Sequence, residues 1–141
     1  MSKKIRVDLH NHTTLCNHAT GTVEEYVKRA IELKIDEYGF ACHAPMNFDP
    51  KYRMKLEERT LYEKWVNEVK EKYKDKIKVL LGYEVDFLNG FMLDEILNAN
   101  VDYLIGSVHF LQNKNEMWGF DNPEFIGVYK SVDIDKIWED Y

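Results

Sequence analysis

Two rhythms of apolar and polar positions alternate along this chain. Ile5-Arg6-Val7-Asp8-Leu9 has a period of two, the mark of a strand whose side chains point to opposite faces in turn. From Thr22 the period lengthens: Val23, Tyr26, Val27, Ala30 and Ile31 fall at helical spacing and predict a helix with one buried face, ending near Lys34. Thr22-Val23-Glu24-Glu25 starts it as a capping box, in which the hydroxyl and the carboxylate take up amides that the first turn leaves free. Tyr38-Gly39-Phe40-Ala41-Cys42 predicts a second strand closed by His43, and Pro45 keeps it from continuing.

The same rhythms run through the rest. Residues 44–59 read as a long irregular loop with Lys51, Arg53 and Lys55 beside Phe48, Tyr52 and Met54. Thr60-Leu61-Tyr62-Glu63 reads as a second capping box, with Leu61, Trp65, Val66, Val69 and Tyr73 as the buried face of the helix behind it. Residues 76–83 predict a third strand ending at Glu84, with Asp86 on the same face. Asn89-Gly90 is a turn signal and residues 91–98 a short helix. Residues 103–108 predict a fourth strand with His109 at its end, and residues 110–131 a second long loop. Asp133 then caps a last helix with Ile134, Ile137, Trp138 and Tyr141 on one face.

Strand and helix alternating four times predict an α/β fold of βα units around a parallel sheet, and such units carry function at the C-terminal ends of their strands. Each predicted strand ends in a side chain that can bind a metal: His10 and His12, then His43, Glu84 and His109. His10 and His12 share a strand face and can hold one ion, although an isolated His-x-His pair reads equally well as two surface histidines. His18 follows in the next loop, so all five histidines of the chain lie near strand ends. Imidazole with carboxylate suits Zn, Mn or Fe(II). The set exceeds what one tetrahedral zinc needs, and Glu84 can bridge two ions. Paired ions ~3.5–4 Å apart lower the pKa of water to ~7 and clamp attacking and leaving oxygens, which is phosphoester hydrolysis.

Composition narrows the classes. At 141 residues, 45% hydrophobic and 31% charged, the chain is long enough for one cored domain and is not disordered. A net charge of −6 without a basic run argues against nucleic acid as the main partner. Met1-Ser2-Lys3-Lys4 has no apolar core behind it and is not a signal peptide, and no apolar run approaches the ~20 residues of a membrane span. Cys16 and Cys42 are too few for a disulfide framework, and both are expected to be non-ligands. These features predict a cytoplasmic protein. Arg53 could meet a phosphate through its planar fork or be a solvated loop residue, and Trp118 and Phe120 could wall a pocket or pack beneath the second loop.

Together, His10-Asn11-His12, Cys16-Asn17-His18-Ala19, Gly39-Phe40-Ala41-Cys42-His43-Ala44-Pro45, Gly82-Tyr83-Glu84-Val85-Asp86 and Gly106-Ser107-Val108-His109-Phe110-Leu111 resemble the PHP superfamily. With Trp118-Gly119-Phe120-Asp121-Asn122-Pro123, they resemble its monofunctional histidinol-phosphatases. The resemblance implies a distorted TIM-like (β/α)7 barrel with three divalent ions at its C-terminal rim. It also implies hydrolysis of L-histidinol phosphate in histidine biosynthesis by a metal-bridging hydroxide. His10 and His12 would hold the first metal, Glu84 would bridge first and second, His109 would bind the second, and His18 and His43 the third. The family pattern adds a further histidine and an Asp-x-His element, for which residues 1–141 have no counterpart, and a barrel of this kind usually needs ~250 residues. The expectation is therefore a partial PHP domain over residues 1–141, the N-terminal four βα units of the barrel. Its open side would be covered by self-association or by a complementing C-terminal half, and its own phosphatase activity would be weak. Another PHP-type phosphoesterase or nuclease, or a non-catalytic metal-binding half-barrel, are the alternatives.

Overall fold

A computed structural model describes residues 4–113 and 116–141; the charged start over residues 1–3 and the middle of the second predicted loop lie outside the described residues. Four strands, β1 (Val7–Asn11), β2 (Glu37–His43), β3 (Lys78–Asp86) and β4 (Tyr103–Ser107), form one parallel sheet in sequential order. The predicted α/β half-barrel is thus the observed architecture. Helices α1 (Val23–Glu32), α2 (Arg59–Lys72) and the short α3 (Asp94–Leu97) lie in the crossovers.

The main core lies between the outer face of the sheet and α1 and α2. Tyr38, Phe40 and Cys42 of β2, with Val79, Leu81 and Tyr83 of β3, pack against Val27 and Ala30 of α1 and Tyr62, Val66 and Val69 of α2. Burying each large side chain contributes roughly 1.5–3 kcal/mol. The Thr22 capping box forms as predicted, with Thr22 Oγ1 accepting from the Glu25 amide at 3.2 Å and Glu25 Oε2 accepting from the Thr22 amide at 2.7 Å.

The inner face is lined by alternate residues, among them Gly39, Gly82 and Tyr103. The Tyr103 ring crosses the inner face of β3 and β2, and its hydroxyl donates to the Leu9 carbonyl of β1 at 2.6 Å. Both glycines make room for it. A Cβ at Gly39 would fall on the Tyr103 hydroxyl, and one at Gly82 would lie 2.8 Å from its ring and its backbone oxygen.

Three expectations are corrected. α2 starts at Arg59, so Thr60 lies inside its first turn rather than capping it, and the carboxylate of Glu58 takes the Lys55 amide at 2.8 Å one turn earlier. The buried face of α2 is rotated accordingly: Tyr62 is fully buried and Leu61 exposed. The predicted second loop contains an antiparallel hairpin, β5 (Phe110–Asn113) and β6 (Glu116–Gly119), followed by a 3-10 segment from Pro123 to Lys130. The last helix, α4 (Ile134–Asp140), starts at the Asp133 cap as predicted and packs on that hairpin. Of its apolar stripe only Ile137 is buried, in a small cluster with Leu111 and Trp118; Ile134, Trp138 and Tyr141 are exposed.

Candidate metal centre

The register of the sheet sets the site. His43 lies directly beside Glu84 between β2 and β3, and Asp86 beside Ser107 between β3 and β4. On β1 the pairing passes from Asp8–Tyr38 to Asn11–Phe40, so three steps of β1 match two of β2, which is a β-bulge. Leu9 and His10 are consecutive, yet both face the barrel interior, and the alternation then brings His12 in as well. Asn11 holds the bulge: its Nδ2 donates to Asp8 Oδ1 at 2.9 Å and to the Gly39 carbonyl at 3.1 Å.

Four imidazoles converge on Glu84, which is buried. Its Oε2 lies 2.9 Å from His10 Nε2, 3.4 Å from His12 Nε2 and 3.3 Å from His43 Nδ1, and its Oε1 lies 3.5 Å from His109 Nε2. His18 joins from the following loop, its ring 4.8 Å from that of His43 and 5.4 Å from that of His12. Tyr52 stacks flat on the other face of His18 at 5.3 Å. All six sequence-selected side chains thus lie together at the C-terminal end of the sheet, and His18 pairs with His43.

A cation suits this arrangement. Glu84 Oε2 and His43 Nδ1 are fully buried and make no hydrogen bond, a costly state for polar atoms unless a ligand meets them. Three overlapping groups bring their donor atoms within 4.8 Å: His10, His12 and Glu84; His43, Glu84 and His109; His12, His18 and His43. Burial holds His43 down to about 4, only partly opposed by Glu84, so its ring is neutral near pH 7 and free to ligate.

Asp86 was visible in the sequence only as a neighbour of Glu84 on the same face, with no role attached. It organises the second layer. Its Oδ1 accepts from His109 Nδ1 at 2.5 Å, which assigns the proton to Nδ1 and leaves the Nε2 lone pair facing the centre. The Asp86 Oδ2 accepts from Arg53 Nη2 at 2.9 Å. Burial acts to raise the Asp86 carboxyl, but the hydrogen bonds from His109 and Arg53 outweigh it and take it down to about 2. The bond to Asp86 in turn raises His109.

Arg53 is neither a solvated loop residue nor an open phosphate fork. It is buried, and its Nε and Nη1 donate to the Asp49 and Ala44 carbonyls at 3.0 and 3.3 Å. With Nη2 on Asp86, no parallel pair of N–H groups is left to present to a phosphate. It nonetheless lines a cleft of about 200 Å³, with His18, His43, Asp49, Tyr52 and His109 on its walls. Phe120 lies over His109 with parallel rings 6.5 Å apart, whereas Trp118 is packing under the hairpin.

The two cysteines sit behind His12. Cys42 points to the helix side of β2 as strand alternation predicts, and Cys16 Sγ lies 3.4 Å from His12 Nδ1. Hydrogen bonding from Cys42 pulls the Cys16 thiol far below its ordinary range, with His12 adding to the effect, and the same shared proton pushes Cys42 up.

Known proteins resemble this chain in sequence and in fold. A family model described as the PHP domain matches residues 8–141. The chain is 39% identical over 139 residues to a probable histidinol-phosphatase of Deinococcus radiodurans, covering 95% of this chain and 52% of that protein. It is 30% identical over 132 residues to the histidinol-phosphatase of Bacillus subtilis, covering 83% and 48%. Among solved structures, a candidate histidinol phosphatase of Listeria monocytogenes superposes with a TM-score of 0.73 at 32% identity, over 84% of this chain and 51% of that one. A histidinol phosphate phosphatase of Lactococcus lactis, solved with zinc, L-histidinol and phosphate, gives 0.63 at 26% identity, over 74% and 40%. The chain spans about half the length of the curated relatives it matches.

Proposed function

The chain belongs to the PHP domain family, and from that premise we propose that it forms the N-terminal, ligand-rich part of a metal-dependent phosphomonoesterase acting on L-histidinol phosphate. The observation that carries this is the convergence of four imidazoles on the single buried carboxylate of Glu84. His10, His12 and Glu84 would hold a first ion, Glu84 and His109 a second, and His18 with His43 a third, as zinc, manganese or iron. Bound there, the ions supply Lewis acidity toward phosphoryl oxygens and lower the pKa of water. The chain's own residues do the rest. Asp86 holds the His109 proton on Nδ1, and Arg53 holds Asp86. Asp49 and Asp121 also line the cleft, and their carboxylates would suit the cationic amine of histidinol.

The same proposal covers the domain and its surroundings. Residues 1–141 would be a partial PHP domain, with further ligands supplied from outside them. The outer face of β4 carries exposed Leu104, Val7 at the start of β1 and Ile5 ahead of it are exposed, and Trp138 of α4 and Tyr141 at its end are exposed. These apolar surfaces favour self-association or a complementing segment. No helix among the described residues is long and apolar enough to cross a membrane, and a cytoplasmic location accords with a small-molecule phosphatase.

The test is phosphate release from L-histidinol phosphate with added Mn, on the chain alone and on the chain joined to the unmatched part of the Deinococcus radiodurans relative. We expect weak turnover alone and strong turnover when joined. Glu84→Gln should lower the latter by several orders of magnitude, because two ions would depend on that carboxylate. A joined, metal-loaded protein that prefers other phosphate monoesters to histidinol phosphate would overturn the substrate. Near-normal turnover in Glu84→Gln with full metal content would overturn the centre.

A further inference from the structure

Behind the centre lies a second donor cluster that phosphoester hydrolysis does not use. His12 faces it with its other ring nitrogen. Cys16, from the 3-10 turn after β1, brings Sγ to 3.4 Å from His12 Nδ1. Cys42 reaches the same point from β2, and the donor atoms of His12, Cys16 and Cys42 all lie within 4.8 Å of one another. Both thiols are fully buried, and Thr13 Oγ1, 3.2 Å from Cys42 Sγ, stands on a further side.

The spacing has a specific meaning. A tetrahedral zinc ion with Zn–S ~2.3 Å and Zn–N ~2.0–2.1 Å holds S and N ~3.5 Å apart and two sulfurs ~3.8 Å apart. The observed nitrogen-to-sulfur separation of 3.4 Å fits the first figure, and the 4.8 Å envelope contains the second. Charge also fits. Two thiols that lose their protons to solvent on binding exactly offset a divalent ion, so the filled site is neutral, as burial requires. Thiolate selects a soft or borderline ion over manganese or magnesium.

We propose that His12 Nδ1, Cys16 and Cys42 form a buried site for one thiophilic divalent ion, zinc or cadmium, and that filling it takes His12 away from the hydrolytic centre. The second half follows from the imidazole itself. A neutral ring has one proton. With Nδ1 on the ion, that proton moves to Nε2, which then faces Glu84 Oε2, 3.4 Å away, as a donor and offers no lone pair to the first metal. The thiol site stands on its own geometry; only the antagonism rests on the proposed centre.

The experiment titrates cadmium into the metal-free chain and reads two signals. The first is sulfur-to-cadmium charge-transfer absorption, together with the cadmium-113 resonance of the unmutated protein, which separates two-sulfur coordination from coordination by nitrogen and oxygen alone. The second is manganese binding, read by the spin resonance of free manganese. We expect one equivalent of cadmium to give the two-sulfur resonance and to weaken manganese binding by about tenfold or more, since loss of even an outer-shell partner of a ligand costs about that much. Cys42→Ser should abolish the charge-transfer band and the sensitivity of manganese binding to cadmium. A resonance of nitrogen and oxygen coordination alone would overturn the site. A two-sulfur resonance with unaltered manganese affinity would overturn the competition for His12. Neither readout depends on phosphatase activity, so failure of the substrate assignment remains distinguishable.

Discussion

Replacing Arg53 by Met tests what holds the centre from behind. Methionine keeps most of the side-chain volume and removes the guanidinium. Asp86, buried, would keep only His109 and Ser107 as partners. Removing one partner of a buried ion pair costs about 3–5 kcal/mol, because a charge is left uncompensated. The lost bonds to the Ala44 and Asp49 carbonyls add about 1 kcal/mol each at most, and the longer pair with the partly buried Asp49 carboxylate adds little. A loss near 4 kcal/mol is a large part of the ~5–15 kcal/mol of a typical domain. At a urea slope of ~2 kcal/mol/M it moves the unfolding midpoint down by about 2 M. The double variant Arg53→Met, Asp86→Asn leaves no orphan charge and should recover a good part of the loss, giving a clear coupling energy between the two sites. Metal affinity should also fall about 10–100-fold in the single variant, since Asp86 orients His109. A loss below about 1 kcal/mol, or a double variant equal to the sum of its singles, would refute the pairing. Were Arg53 a phosphate ligand, the variant would instead keep its stability and raise KM in the joined enzyme.

Three further outcomes are expected. Tyr62→Phe removes a buried hydroxyl that donates to the Gly82 carbonyl at 2.7 Å and accepts from the Cys42 amide at 3.3 Å, and should cost about 1–3 kcal/mol in urea unfolding. Gly82→Ala forces a methyl against the Tyr103 backbone and ring, and should cost about 1–3 kcal/mol and loosen amide-exchange protection in β3 and β4. In metal-free protein, His43, held down to about 4 by burial, binds fewer protons folded than unfolded; its contribution to stability is complete above about 6.5 and is lost as pH falls to about 4. Thermal melts across that window should show the decline, and saturating zinc should deepen it, because protons then compete with metal.

Much of this arrangement is visible in the chain because local and global signals agree. The Thr22 box, the apolar runs of β2 and β3, and the polar residue closing each run all report the parallel sheet and its functional edge. What escapes has physical causes. Tyr62 occupies the buried face of α2 in place of Leu61 because its hydroxyl finds two backbone partners across 20 residues of sequence. No glycine stands in the sequence between β5 and β6 to announce their pairing. The bulge in β1 leaves the His-x-His alternation intact while rephasing everything before it, so periodicity cannot reveal it. Asp86 with Arg53, and Cys16 with Cys42, are made by approach of segments far apart in the chain, and neither leaves a periodic trace.

The Tyr103 hydroxyl on the Leu9 carbonyl has a mechanical meaning. In a flat sheet, β4 and β1 would stand three strand spacings apart, ~14 Å, far beyond the reach of one tyrosine. The bond closes only on an arc, so Tyr103 acts as a chord that fixes how tightly the four strands bend. Curvature is therefore written inside these four strands by a single side chain. The distance between the rim ends of β1 and β3, and with it the gap between His10 and Glu84, is gauged by this one bond between β4 and β1.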